Sequence, residues 1–389
     1  MKLVNTPECL RSSEEPNVDL VAIANQFGAT VNVRELGDGN INDTFLAFPD
    51  SQSPALNSAR SATPFVLQRI NTQVFQQPEL VMQNMQAVTR HLHDRLQSDT
   101  RPQLLADRRW EVPHVLPTIN GDNHWIAKDG SFWRAIAFVP NANCADALDN
   151  CDCAREVGTA LGIFHALLSD LPATTLVDTL PGFHVTPQYL QTYDRVADTA
   201  VPTRSPEVEF CRRFIEARRA NADVLEAAKA RGHLPTRPMH GDPKANNILT
   251  DAVTGRAVSV IDLDTVKPGL IHYDIGDCLR SGCNPLGEET DCWESVCFEP
   301  ELGVSLLQGY LFVARSFLTV NDREYIYDAI RLIAFELGLR FFTDYLAGNT
   351  YFKVKYPEHN LARSLVQFKL AESIEAQEPT IRAIVRDLS

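Results

Sequence analysis

The sequence predicts an α+β protein of two lobes, the first rich in short strands and the second mostly helical. Three observations lead there. Five strand-like runs separated by turn residues lie before residue 140. Six segments of helical length and spacing lie beyond it. Between the third and fourth of these, a loop and hairpin concentrate oxygen-bearing side chains. At 389 residues the chain is long enough for two lobes, each with its own core. The division is placed at 1–140 and 141–389, with 138–146 as the hinge.

Residues 18–28, VDLVAIANQFG, carry apolar residues at helical spacing and end on Gly28, a suitable cap. The runs VNVREL, DTFLAF, PFVLQRI, HVLPTI and FWRAIAFV then read as strands. Turn signals such as Gly37-Asp38-Gly39-Asn40 and Asn120-Gly121-Asp122 punctuate them. The stretch 51–63, rich in Ser, Pro and Ala, reads as a loop. One helix, 78–98, interrupts the strands, with Leu80, Val81, Met85, Val88, Leu92 and Leu96 on its apolar stripe. Beyond Pro140 the pattern predicts helices over 152–169, 186–197, 206–231, 299–318, 322–347 and 358–376. No internal repeat is evident.

Composition narrows the function. A hydrophobic fraction of 44% and a charged fraction of 22% fit an ordinary soluble globular protein. No apolar run reaches the length of a membrane span, and MKLVNTPECLRSSEEPN lacks a signal peptide's apolar core. A cytoplasmic enzyme without a membrane partner is therefore expected. A net charge of −14 argues against a nucleic-acid partner, although a local basic groove could still hold a phosphate. Nine cysteines, an odd count, are expected as free thiols. The series Cys278, Cys283, Cys292, Cys297 lacks the tight C-x2-C pairs of a zinc site.

The chemistry concentrates in HGDPKANNIL, residues 240–249, and in VSVIDLD, residues 258–264. A group that moves phosphate needs a carboxylate to orient a hydroxyl and hard oxygen ligands to hold magnesium. Protein kinases meet that need with an Asp in a loop, an Asn five residues on, and a metal-binding Asp on the next hairpin. Asp242, Asn247 and Asp262 have that order and spacing. Asp242 is expected as the base, and Asn247 and Asp262 as metal ligands. Asp264, on the same strand face as Asp262, is expected as a second ligand or a substrate contact. Lys244 falls where a cation would reach the transferring phosphate. Each has a plainer alternative: Asp242 as turn former, Asn247 as backbone cap, Lys244 as a solvated lysine.

The remaining candidates are weaker alone. His240 is expected as a hydrogen-bonded anchor of the loop. In Tyr273-Asp274-Ile275-Gly276-Asp277, which starts a helix, Asp277 is expected to order the catalytic loop. Gly37, Gly39, Asn40 and Asn42 would let backbone amides approach a nucleotide's phosphates, or simply form a hairpin turn. Phe138 and Val139 would contact the nucleotide from the hinge. The strand-then-helix order with this motif is that of a protein-kinase-like fold.

HGDPKANN and VIDLDTVKPG, followed by YDIGDCLRS, resemble the aminoglycoside phosphotransferase/choline kinase superfamily. GDGNINDTF, FVLQRINTQVF and ELGLRFFTDYLAGNTYFKV resemble, within it, the N-acetylhexosamine 1-kinase-like group. The resemblance implies ATP and magnesium as cofactors and GlcNAc or GalNAc as acceptor, phosphorylated on the anomeric hydroxyl. It implies Arg340 and Tyr351 as sugar contacts. The plainer role for Arg340 is a salt bridge to Glu336, one helical turn earlier. Gln68 departs from the kinase pattern, standing where the ATP-pairing Lys is usual, while Arg69 points to the opposite strand face. Two other functions compete: a kinase of another alcohol, such as an aminoglycoside or choline-type amine, and an inactive nucleotide-binding protein. For a cationic acceptor, Glu288, Glu289 and Asp291 would supply acidity, although the run reads first as a solvated loop.

Overall fold

In β1 (Thr30–Glu35), β2 (Asp43–Pro49) and β3 (Phe65–Ile70), Val33, Phe45, Ala47, Phe65 and Leu67 pack into one apolar cluster. The computed structural model describes residues 19–36, 41–49, 63–98, 105, 107–144, 148, 150–199 and 205–388. Helix α1 (Leu20–Ala24) precedes the sheet and is shorter than 18–28. It stops because the Asn25 side chain accepts a 2.8 Å bond from the Thr30 amide, turning the chain into β1. The sheet is antiparallel, in the order β1-β2-β3-β6-β4, with β5 also on β6. Here β4 is Val115–Leu116, β5 Trp125–Ile126 and β6 Phe132–Ala137. The run expected as a strand at 114–119 pairs over two residues only. Pro113 and Pro117 bracket those two, and neither has an amide to donate. Helix α2 (Pro78–Gln97) follows the expected span, burying Val81, Met82, Met85, Val88 and Leu92.

The second lobe is helical around two small ladders. β7 (Ala142–Cys144) lies within the segment expected as the hinge, and α3 (Cys151–Leu168), α4 (Thr186–Thr199), α5 (Pro206–Arg218) and α6 (Val224–Ala230) come next. The expected single helix 206–231 is therefore two. A 3-10 turn at Arg219–Asn221 separates them, and Arg331 takes the Asn221 carbonyl at 3.3 Å, out of helical use. Three further ladder strands are β8 (Arg237–Met239), β9 (Ile248–Asp251) and β10 (Ala257–Val260). After them come β11 (Lys267–Gly269), α7 (Ile271–Gly282), α8 (Pro300–Ala314), α9 (Val320–Glu324), α10 (Ile326–Leu346), α11 (His359–Ala376) and α12 (Glu378–Asp387). A capping box between Thr319 and Asp322 starts α9, so the helix expected from 322 begins only at Ile326. No described helix is long and apolar enough to cross a membrane.

Helices α3 and α8 cross with their backbones nearly touching, which requires glycine at the crossing. A Cβ on Gly158 would meet the Leu306 carbonyl oxygen, and one on Gly309 the Arg155 carbonyl oxygen. Gly309→Ala is therefore expected to cost about 1–3 kcal/mol by overpacking. Urea unfolding measures it; an unchanged midpoint would remove close approach as the reason for the glycine. The cysteine series is divided: Cys278 and Cys283 are buried in the core, whereas Cys292 and Cys297 are exposed.

Candidate active site

The loop 240–247 leaves β8 and enters β9 at the mouth between the lobes, and α7 fixes its shape. Asp274, fully buried in the first turn of α7, accepts from the His240 amide at 2.7 Å and the Gly241 amide at 2.8 Å. His165 Nε2 lies 2.9 Å from the same carboxylate. Burial works against this charge, but His165 and the amides outweigh it and hold the carboxyl below its ordinary range. Asp274 therefore orders the loop, the role expected of Asp277. Its position in the first helical turn, where carboxylates are favoured, was the signal. His240 is the expected anchor: Nε2 donates to the Ile261 carbonyl at 2.9 Å, and Nδ1 accepts from the Asp242 amide at 3.2 Å. Burial lowers its pKa, which keeps it neutral for both tasks. Gly241 sits at φ +90°, and a Cβ there would lie 2.7 Å from the Thr265 carbonyl oxygen.

The loop brings three of the predicted residues together. Lys244 Nζ lies 3.1 Å from Asp242 Oδ2. The Asn247 amide nitrogen donates to the Asp242 carbonyl at 2.7 Å, leaving its amide oxygen for a cation. Asn247 is buried and Asn246 exposed, so only Asn247 turns into the loop. The Ile261 amide bonds to the Asn247 carbonyl at 2.9 Å, tying the hairpin to the loop. Asp262 follows in a left-handed conformation, φ 63° and ψ 57°, an unfavourable state for a non-glycine residue that turns it out of the strand. Partial loss of water at the cleft wall, and then the carboxylates of Asp264 and Asp242, push its carboxyl up to about 7. The side chain is open to solvent, so like-charge crowding is the more durable cause. Crowded carboxylate oxygens beside a free amide oxygen make a hard-donor set short of positive charge. That fits magnesium held by Asn247 and Asp262.

Asp264 is placed differently from the expected second metal ligand. It is 3% exposed, forms an ion pair with Arg134, and accepts from the Asn42 amide at 2.5 Å. Its oxygens face Arg134 and Asn42 of the first lobe, so Asp264 joins the lobes. Gln68 is engaged as well. Its Oε1 accepts from Arg134 Nε at 2.9 Å and Nη2 at 2.7 Å, and its Nε2 donates to Thr44 Oγ1 at 3.1 Å. Arg69 pairs with Asp43 on the other strand face, as the alternation predicts. Asn42 is buried and also accepts from the Asn71 amide at 2.9 Å. Gly37, Gly39 and Asn40 lie outside the described residues. At the hinge Val139 is buried against Leu249 and Val258, while Phe138 is half-buried.

Beyond Asp242 a pocket opens between α7, α10 and the segment after α10. Asp242, Lys244, Asp277, Glu336, Arg340 and Tyr351 are among its walls. Arg340 has no carboxylate within ion-pair distance among the described residues. Glu336, its partner in the plainer alternative, accepts instead from His184 Nδ1 at 2.9 Å and Thr186 Oγ1 at 2.6 Å. His184 Nε2 bonds to the Gly241 carbonyl at 2.7 Å. Burial opposes a charge on His184, but Glu336 and that carbonyl prevail and raise its pKa, so both ring nitrogens donate. This link from α10 to the catalytic loop carried no sequence signal. The Arg340 guanidinium is caged by the rings of Phe183, Tyr189 and Phe352, at 5.3, 5.1 and 5.5 Å. Tyr351 is 51% exposed, and Asp344 holds its loop by accepting from the amides of Thr350, Tyr351 and Phe352. Asp277 lines the pocket and pairs with Arg280 at 2.8 Å. The Glu288–Asp291 run is no free loop: Glu288 reaches Arg280, and Glu289 takes Arg363, His359 and Lys355.

Residues 32–315 match the phosphotransferase enzyme family (APH). Among solved structures the chain is similar to an aminoglycoside phosphotransferase from Alicyclobacillus acidocaldarius, with a TM-score of 0.63 and 14% identity over 97% of this chain and 99% of that one. It is similar to a microcompartment-associated aminopropanol kinase, at 0.57 and 15% over 93% and 97%. It is similar also to a choline kinase from Cryptosporidium parvum, at 0.54 and 11% over 92% and 93%. At these identities the likeness is one of fold: an antiparallel first lobe and a helical second part, as in protein kinases.

Proposed function

Because the chain belongs to the phosphotransferase enzyme family (APH), we propose that it transfers the γ-phosphate of ATP to the anomeric hydroxyl of an N-acetylhexosamine, GlcNAc or GalNAc, giving the sugar 1-phosphate. Residues 1–140 form the nucleotide-binding lobe and 141–389 the catalytic and acceptor-binding lobe. Asp242 accepts a hydrogen bond from the hydroxyl, orients it and takes its proton as the oxygen–phosphorus bond forms. Lys244 balances the charge of Asp242 and faces the transferring phosphate. Asn247 and Asp262 hold the magnesium, which neutralises charge on the phosphates. Asn42 lies on the phosphate side of the nucleotide, and Phe138 and Val139 contact it from the hinge. Arg340 and Tyr351 contact the sugar.

The observation that carries a neutral acceptor is the occupied aromatic cage. Choline, aminopropanol and aminoglycosides are cations, and three rings around a vacant point would suit one of them. Here Arg340 already fills that point. The whole pocket wall carries five Lys or Arg against four Asp or Glu, the wrong balance for a cationic acceptor. A neutral polyol with a carbonyl for the guanidinium fits better. The test is magnesium-dependent ADP release against GlcNAc, GalNAc, other hexoses, choline and an aminoglycoside. Turnover of the amines alone would overturn the acceptor, and nucleotide binding without any turnover would overturn the activity. Arg340→Ala is expected to raise the sugar KM about tenfold or more, the loss of one charge-assisted contact. An unchanged KM would remove Arg340 from the acceptor site.

A further inference from the structure

Strand β3 presents Gln68 where a phosphate-pairing lysine would stand, and the cation of this region is on the neighbouring strand. Gln68 and Arg134 are direct cross-strand partners, so their side chains share one face of the sheet. Arg134 is fully buried. Removing a guanidinium from water is expensive unless its partners are fixed, and these are. Gln68 Oε1 takes Nε and Nη2 at 2.9 and 2.7 Å, and Asp264 takes the charge. The third nitrogen, Nη1, faces only the sulfurs of Met85 and Met82, at 3.6 and 4.0 Å, which are weak acceptors. Arg69, the other cation nearby, is committed to Asp43 on the outer face. Asp264 lies two residues after Asp262 in the same short turn.

We infer that Arg134 is the positioning residue of the nucleotide site: from β6 it replaces the missing β3 cation, holding the Asp262–Asp264 turn against the first lobe. Gln68 is its bracket, an acceptor that fixes the guanidinium where a lysine would have repelled it. The inference rests on the phosphotransferase reading but not on the acceptor, so its test omits sugar.

The full-length protein is titrated with ATP and magnesium in a calorimeter, and thermal unfolding is recorded beside it. Arg134→Met is expected to weaken nucleotide binding about tenfold or more. The double variant Gln68→Lys with Arg134→Met, which returns the cation to β3, is expected to recover most of that loss. Arg134→Lys is expected to bind about threefold to tenfold more weakly, because one ammonium cannot hold Gln68 and Asp264 together. It gives the reading if Arg134→Met does not fold. Binding within about twofold of the parent in the folded Arg134 variants would overturn the inference. So would a loss that the double variant does not recover, or a parent protein that binds no nucleotide. Parent binding without turnover of any sugar would sink the acceptor alone.

Discussion

Asp242→Asn is expected to lower kcat for sugar-dependent ADP release by about a thousandfold, within the usual range for a lost general base. The amide keeps the volume and the loop, since His240, Gly241 and Asp274 set the backbone. It removes the proton acceptor and the partner of Lys244 at 3.1 Å. With the metal on Asn247 and Asp262, as proposed, nucleotide binding should change little. An anomeric hydroxyl is more acidic than an ordinary alcohol, so much of the loss would be misorientation of the acceptor rather than lost basicity. Initial rates at saturating ATP and sugar check it. A variant within tenfold of the parent would show that Asp242 is a turn residue after all.

Asp274→Ala is expected to have the largest effect on stability, about 3–5 kcal/mol. The buried carboxylate satisfies two backbone amides and the ring of His165 at once. Without it, three donors are left in a site that water does not reach. The amides belong to His240 and Gly241, so the base at position 242 would lose its fixed approach as well. Asp274→Asn should fall between, because its amide oxygen can still accept while its amide nitrogen faces donors. Urea unfolding gives the first quantity and kcat the second. A loss below about 1 kcal/mol in the alanine variant would mean the loop is held by its other bonds.

The fold was legible where pattern and local chemistry agree. Helix 78–98 and the strands FVLQRI and FWRAIAFV appear near the expected places because their apolar residues are buried, on both faces in FWRAIAFV, and no turn residue competes. Prediction failed where a side chain or proline outside the periodicity intervened, as at Asn25, Pro117 and the Asn221 carbonyl. Helix α12, ten residues with only Ile381 and Val385 buried, was too short and polar a signal. In the candidate site, the closeness of Asp242, Lys244 and Asn247 was legible because five residues of one loop set their spacing. Arg134 and His184 were not, since their partners lie 66 and 152 residues away in the chain.

The sequence by itself determined the two-lobed class and which oxygen-bearing side chains share the loop, since each rests on residues near one another along the chain. Only the tertiary structure decided that Asp264 belongs to Arg134, that Asp274 and not Asp277 shapes the loop, and that Arg340 occupies an aromatic cage. A carboxylate does the same local work wherever a turn puts it. Which cation or amide it meets depends on what the fold brings across, and a buried charge must be matched by something.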